Sequence, residues 1–198
     1  MGRARTGDFD GARADLERGV RIAERIGEHD DGARGYLALG DLARQAGDAD
    51  QAHQLFERAR EITELKIRQP GMSLVAMTTY SKLGCLSEQR GDLTAAARWH
   101  AQAIGQAAGS AEVFLPSHPS LAGVVEGLAA LAAAQGQPAR AAELLGLAHT
   151  LHGFRDEASL EVARTVATVT GAIGAGAFEE AYARGRRLTR GDALALVP

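Results

Sequence analysis

Apolar residues recur along this chain at three- and four-residue spacing. Near its start Ala12, Leu16, Val20, Ala23 and Ile26 fall into one stripe among polar neighbours, and residues so spaced share one face of an α-helix. Alternating runs rich in Val, Ile and Thr, the mark of half-buried strands, are missing. The pattern predicts helices over 9–26, 31–46, 49–67, 73–90, 93–108, 118–135, 138–152, 157–173, 176–185 and 190–196. Abundant Ala, Leu, Arg and Glu beside only 5% aromatics point the same way, to an all-α fold.

The polar breaks between these helices repeat a phrase. GDADQA at 47–52 is echoed by GDFDGA at 7–12, GDLTAA at 91–96, GQPARA at 136–141 and GAFEEA at 176–181, with glycine-to-glycine spacings of 40, 44, 45 and 40 residues. Such a period predicts a right-handed superhelical solenoid of antiparallel helix pairs, with about nine or ten helices. The phrase reads as punctuation: glycine takes the left-handed conformation that ends one helix, aspartate caps the next, and alanine lets the two pack closely. Pro138 replaces the acidic cap where proline is tolerated in a first turn. Pro70 and the run Leu115, Pro116, Ser117, His118, Pro119 mark connections between units.

Anchoring on Ala52 puts Tyr36, Leu39, Gly40, Phe56 and Ala59 at the offsets of the tetratricopeptide pattern, with Ala43 at the second aromatic position. Ala96 anchors Tyr80, Leu83, Gly84 and Ala103, with Ser87 and His100 as departures, and Ala141 anchors Leu128, Ala129, Leu145 and Ala148. In these residues the chain resembles a tetratricopeptide-repeat protein over roughly 8–152. Its repeats exceed the usual 34 residues and so resemble the variant in large bacterial signalling regulators. The expected organisation is one continuous solenoid: repeats over 1–152, the first lacking its leading helix, then capping helices over 153–198. The half-repeat leaves the stripe at 12–26 only partly covered. The expectation is therefore the tail of a longer regulator, with a homodimer docking the open ends as the alternative.

Beyond 152 the order is helix, glycine-rich turn, FEEAYARGRRLT and a short GDALALV helix. Through Leu144, Leu145 to His149, and Phe178, Ala181, Gly185, Leu188, Ala193 and Leu194, this resembles the C-terminal end of the repeat region in actinobacterial antibiotic-regulatory and LuxR-like transcriptional regulators. Those proteins carry a nucleotide-switch ATPase and a DNA-binding domain elsewhere. The resemblance implies a sensor or scaffold tail.

Charge and chemistry narrow the partners. A net charge of -3 argues against direct nucleic-acid binding. Cys85 is the only cysteine, which excludes an intramolecular disulfide and a thiolate metal cluster and fits a reducing, cytoplasmic compartment. Neither an apolar leader segment nor an apolar run long enough to span a membrane occurs. GAIGAGAF at 171–178 lacks the preceding strand and the Gly-Lys-Ser/Thr of a phosphate loop, and reads as a helix-helix turn. His149 and His152 lie one turn apart, but no carboxylate stands at matching spacing, so no metal is expected. Catalytic and cofactor-binding residues are not expected either, and Arg184, Arg186, Arg187 and Arg190 read as a solvated helix end. A lone thiol such as Cys85 is read as packing rather than redox-sensing.

The expected functional surface is the face lined by the first helix of each pair. By register it exposes Arg34, Leu37, Asp41, Arg44 and Gln45, then Thr78, Ser81, Lys82, Cys85, Glu88 and Gln89, then Glu126. The groove is mixed in charge and lacks the repeated Lys/Arg/Asn clamp of chaperone-type tetratricopeptide proteins. The expected function is a non-catalytic scaffold or sensor in a bacterial transcriptional regulator, recognising a protein or peptide segment, which includes upstream domains of the same regulator, or a small-molecule effector. A stand-alone small-molecule-binding or biosynthetic accessory protein, with its ligand inside the superhelix, is the alternative.

Overall fold

The computed structural model describes residues 9–66, 72–109, 119–156 and 159–196. The glycine-aspartate turn expected at 7–8, Pro70 and residues 115–118 lie outside them. Every element among the described residues is helical: α1 Phe9–Ile26, α2 His29–Gln45, α3 Ala49–Lys66, α4 Met72–Gln89, α5 Leu93–Gly109, α6 Pro119–Ala134, α7 Pro138–His152, α8 Leu160–Ile173, α9 Ala175–Gly185 and α10 Arg190–Leu194.

The punctuation works as its chemistry requires. At Gly47 φ is 83°, a conformation that an L side chain reaches only with strain. There Gly47 N–H donates to the Arg44 carbonyl and Asp48 N–H to the Ala43 carbonyl, closing α2. Asp48 Oδ1 then accepts from Gln51 N at 2.9 Å, opening α3. The same turn recurs at 91–92, where Asp92 Oδ1 accepts from Ala95 N at 2.8 Å. Pro138 sits in the first turn of α7, as expected. The fifth phrase departs from expectation: Gly176 is inside α9, and Gly174, with φ 80°, makes the break from α8. The helix boundary follows the glycine that can turn, not the one in register.

Helices pack as consecutive pairs, α2 on α3, α4 on α5 and α6 on α7, while the leading helices α2, α4 and α6 also lie beside one another. Small residues set the approach. A Cβ at Gly40 would stand 2.4 Å from the Phe56 ring, so glycine in α2 is the hole that the α3 aromatic fills. Phe56, Ala52 and Ala59 are fully buried. One core cluster gathers Leu37, Phe56, Val75, Leu83 and Leu86, and a larger one runs from Met77 and Ile104 through Leu121 and Leu147 to Phe178. Trp99 packs against both and joins them. On α1, Ala12, Val20 and Ala23 are buried against the neighbouring helices, whereas Ile22 and Ile26 remain exposed.

Candidate functional site

The leading-helix face is built by residues three or four apart on α2 and α4. Asp41 and Arg44 project from the last turns of α2, Lys82 and Glu88 from α4, and Glu126 from α6. Lys82 Nζ reaches Asp41 Oδ2 at 2.9 Å, and Arg44 Nη2 reaches Asp41 Oδ1 at 3.4 Å. One carboxylate therefore bridges two cations across adjacent pairs.

The part of the face around Arg44 is not open to solvent, because α8 reaches it. Glu161, in the first turn of α8, meets Arg44 Nη1 at 2.7 Å, and Arg164, one turn on, meets Glu88 Oε2 at 3.1 Å. The Arg44 side chain is only 7% exposed. Burial opposes its charge, but the carboxylates of Glu161 and Asp41 more than offset that and raise its pKa. Lys82 behaves alike: desolvation works against the ammonium, and Asp41 and then Glu161 hold it charged, above the ordinary lysine value. Lys82, Asp41, Arg44 and Glu161 thus alternate in sign across three helices, and the charges are mutually compensated rather than free.

Several expected surface residues lie elsewhere. Leu37, Ser81 and Cys85 are buried, Leu37 in the core cluster with Phe56 and Val75, because leading helices that pack side by side bury the flanks of the face register analysis leaves open. Burial, reinforced by Glu161, pushes the Cys85 thiol up to about 12. It is thus held protonated and unreactive at neutral pH. Thr78 turns its hydroxyl onto the Leu74 carbonyl at 3.0 Å. Arg34 is exposed and pairs within its own helix with Asp30 at 2.9 Å, and Gln45 and Gln89 face solvent.

Two histidines read together from the sequence part company. His149 Nδ1 lies 2.7 Å from the Tyr182 hydroxyl of α9. His152 Nε2 lies 3.4 Å from Glu126 Oε1 of α6. Its pKa is raised, with the hydrogen bond to Glu126 the largest cause. Arg184 is not a free helix end either, since its Nε meets Glu143 Oε1 at 2.9 Å. Sequence reading missed Glu161 and Arg164. No periodicity links positions more than seventy residues apart, as Arg164 and Glu88 are, so only a helix with charged first turns pointed to them.

A cleft of about 250 Å³ lies away from this face, between α1, α2 and α3, lined by Glu17, Val20, Glu24, Tyr36 and Leu55 among others. Tyr36 donates its hydroxyl to Glu24 Oε1 there at 2.7 Å. No described helix is long and apolar enough to cross a membrane.

The model of the tetratricopeptide repeat family matches residues 2–64, close to a third of the chain. No curated protein matches the chain. The matched segment contains the Gly47 turn and the Gly40–Phe56 contact, and the paired helices continue beyond it in the same manner. Over residues 2–64 the chain is thus similar to the tetratricopeptide repeat, a family that generally mediates protein–protein interaction, and its described residues form an all-α solenoid of paired helices.

Proposed function

We propose that this chain is a non-catalytic recognition scaffold whose leading-helix face binds an amphipathic helix with an acidic residue in its first turn and a basic residue one turn later. The observation that carries this reading is the chain's own α8, seated on that face through Glu161–Arg44 and Arg164–Glu88. Asp41, Arg44, Lys82 and Glu88 are the recognition residues. A protein segment of the same charge order competes with α8 for them. The setting that suits such a face is the C-terminal part of a bacterial transcriptional regulator, where an upstream domain of the same polypeptide supplies the competing helix. The C-terminal resemblance around Leu144, Phe178 and Gly185 supports that setting.

The test removes the internal occupant. Replacing Glu161 and Arg164 together by alanine should cost α8 about 1–2 kcal/mol of local stability, seen as roughly tenfold faster amide exchange over 160–173. A labelled peptide of residues 159–174 should bind this double variant. Binding should disappear when Arg44→Ala and Lys82→Ala are added. Equal peptide binding with and without Arg44 and Lys82 would remove the face from consideration. Unchanged gene regulation in cells carrying Arg44→Ala, Lys82→Ala and Glu88→Ala would remove the regulator setting.

A further inference from the structure

We propose that Glu126, His152 and Asp156 form a binding site for one first-row divalent transition-metal ion of the Zn2+ type. The three residues come from separate places in the chain: the middle of α6, the last residue of α7, and the segment that follows α7. Their ligand atoms, one imidazole nitrogen and two carboxylate oxygens, all lie within 4.8 Å of one another.

The local fold explains the convergence. Gly153 ends α7 in the left-handed conformation, φ 83°, and its N–H donates to the His149 carbonyl. This turn folds the following segment back along the helix end and delivers Asp156 to His152. The Phe154 ring stands against the His152 ring, with centroids 5.1 Å apart. Neither His152 nor Glu126 is widely open to solvent, at 12% and 17% side-chain exposure.

The distances suit a small ion. Tetrahedral coordination with bonds of about 2.1 Å sets ligand atoms about 3.4 Å apart, and Glu126 Oε1 stands 3.4 Å from His152 Nε2. An Asp156 carboxylate oxygen, within 4.8 Å of both, supplies the third ligand, leaving a fourth position for water. Two carboxylates neutralise the charge of a divalent ion, and the imidazole selects Zn2+, Co2+ or Ni2+ over the all-oxygen preference of Mg2+ and Ca2+. His149 is not part of the set, being turned onto Tyr182.

An ion here would act as a clip. Ser159, the N-cap of α8, donates its N–H to the Asp156 carbonyl at 3.4 Å. Fixing Asp156 to α6 and α7 therefore fixes the point from which α8 departs. The site itself needs nothing of the recognition reading and stands whether or not α8 is displaced by a partner.

The experiment uses the full chain, freed of metal with EDTA and titrated with ZnCl2. One Zn2+ should bind per chain, and at a hundredfold excess over Kd the Tm should rise by about 5–10 °C. MgCl2 should give no rise. Co2+ should show visible d–d absorption of a four- or five-coordinate site. His152→Gln and Asp156→Asn should each weaken Zn2+ binding at least tenfold or so, while His53→Ala, an exposed histidine elsewhere, should not change it. Far-UV circular dichroism and the metal-free Tm establish that the variants fold, and Glu126→Gln serves where one does not. A wild-type Tm indifferent to Zn2+, or binding that survives in His152→Gln and Asp156→Asn, overturns the proposal.

Discussion

Gly185→Ala should lower the stability of the chain by about 3 kcal/mol, and the Tm by about 6–12 °C. The reason is a backbone contact between α7 and α9. A Cβ at Gly185 would stand within 1.8 Å of the Glu143 carbonyl oxygen, and one at Gly146 within 2.1 Å of the Tyr182 carbonyl oxygen. Each glycine faces the other helix's main chain, which cannot swing aside as a side-chain tip can. The two helices would have to separate, loosening Phe178 and Tyr182 from the core cluster and pulling Arg184 from Glu143. Gly171→Ala is the control. It lies exposed in α8 with no neighbouring atom near the position its methyl would take, and should be stabilising by up to about 1 kcal/mol. Thermal melts of the two variants beside the wild type decide the point. If Gly185→Ala melts with the wild type, the close crossing of α7 and α9 is wrong.

The second large effect is pH-dependent. His100 is fully buried, and among the described residues neither ring nitrogen has a hydrogen-bond partner. A Cβ at Gly84 or Gly127 would stand 2.7 Å or less from the ring, so the imidazole fills a slot between α4 and α6. Burial pushes its pKa down from 6.5 to about 4. The sign follows from which state binds the proton. Above pH 6.5 the ring is neutral in both states and the contribution is intact. As pH falls from 6.5 towards 4 the unfolded chain takes the proton and the folded chain does not, so stability falls with pH and levels off below 4. The total loss is roughly 3 kcal/mol. In His100→Phe that component should vanish, because the same offset from Gly40 holds Phe56 in the preceding pair. Urea unfolding of both proteins between pH 7 and pH 4 measures the difference. Parallel stability-pH curves would show that His100 is not the source.

His100 also illustrates how sequence and structure divide the information. By its offset from Ala96 it is a departure from the repeat, and the structure sets it against Gly84 of the same helix pair. The offset says nothing of Gly127, which comes from the next pair. The same limit governs the candidate sites. Asp41, Arg44, Lys82 and Glu88 are assigned to one face by spacing alone, and the structure places them on neighbouring helices. Leu37, Ser81 and Cys85 share that register but sink between α2, α4 and α6, since the width of a helix face left open depends on how closely its neighbours pack.

By itself the sequence determined the all-α class, the pairing of helices, and the turns at Gly47, Gly91 and Gly136. These depend on interactions within a few residues or within one repeat, where periodicity and backbone conformation are enough. Only the tertiary structure decided that α8 reaches back onto the leading-helix face, that His149 and His152 face different partners, and that Glu126 and Asp156 meet at His152. Those are contacts between distant segments, set by the turn at Gly153 and by the glycine-lined crossing of α7 and α9, and neither leaves a periodic trace in the chain.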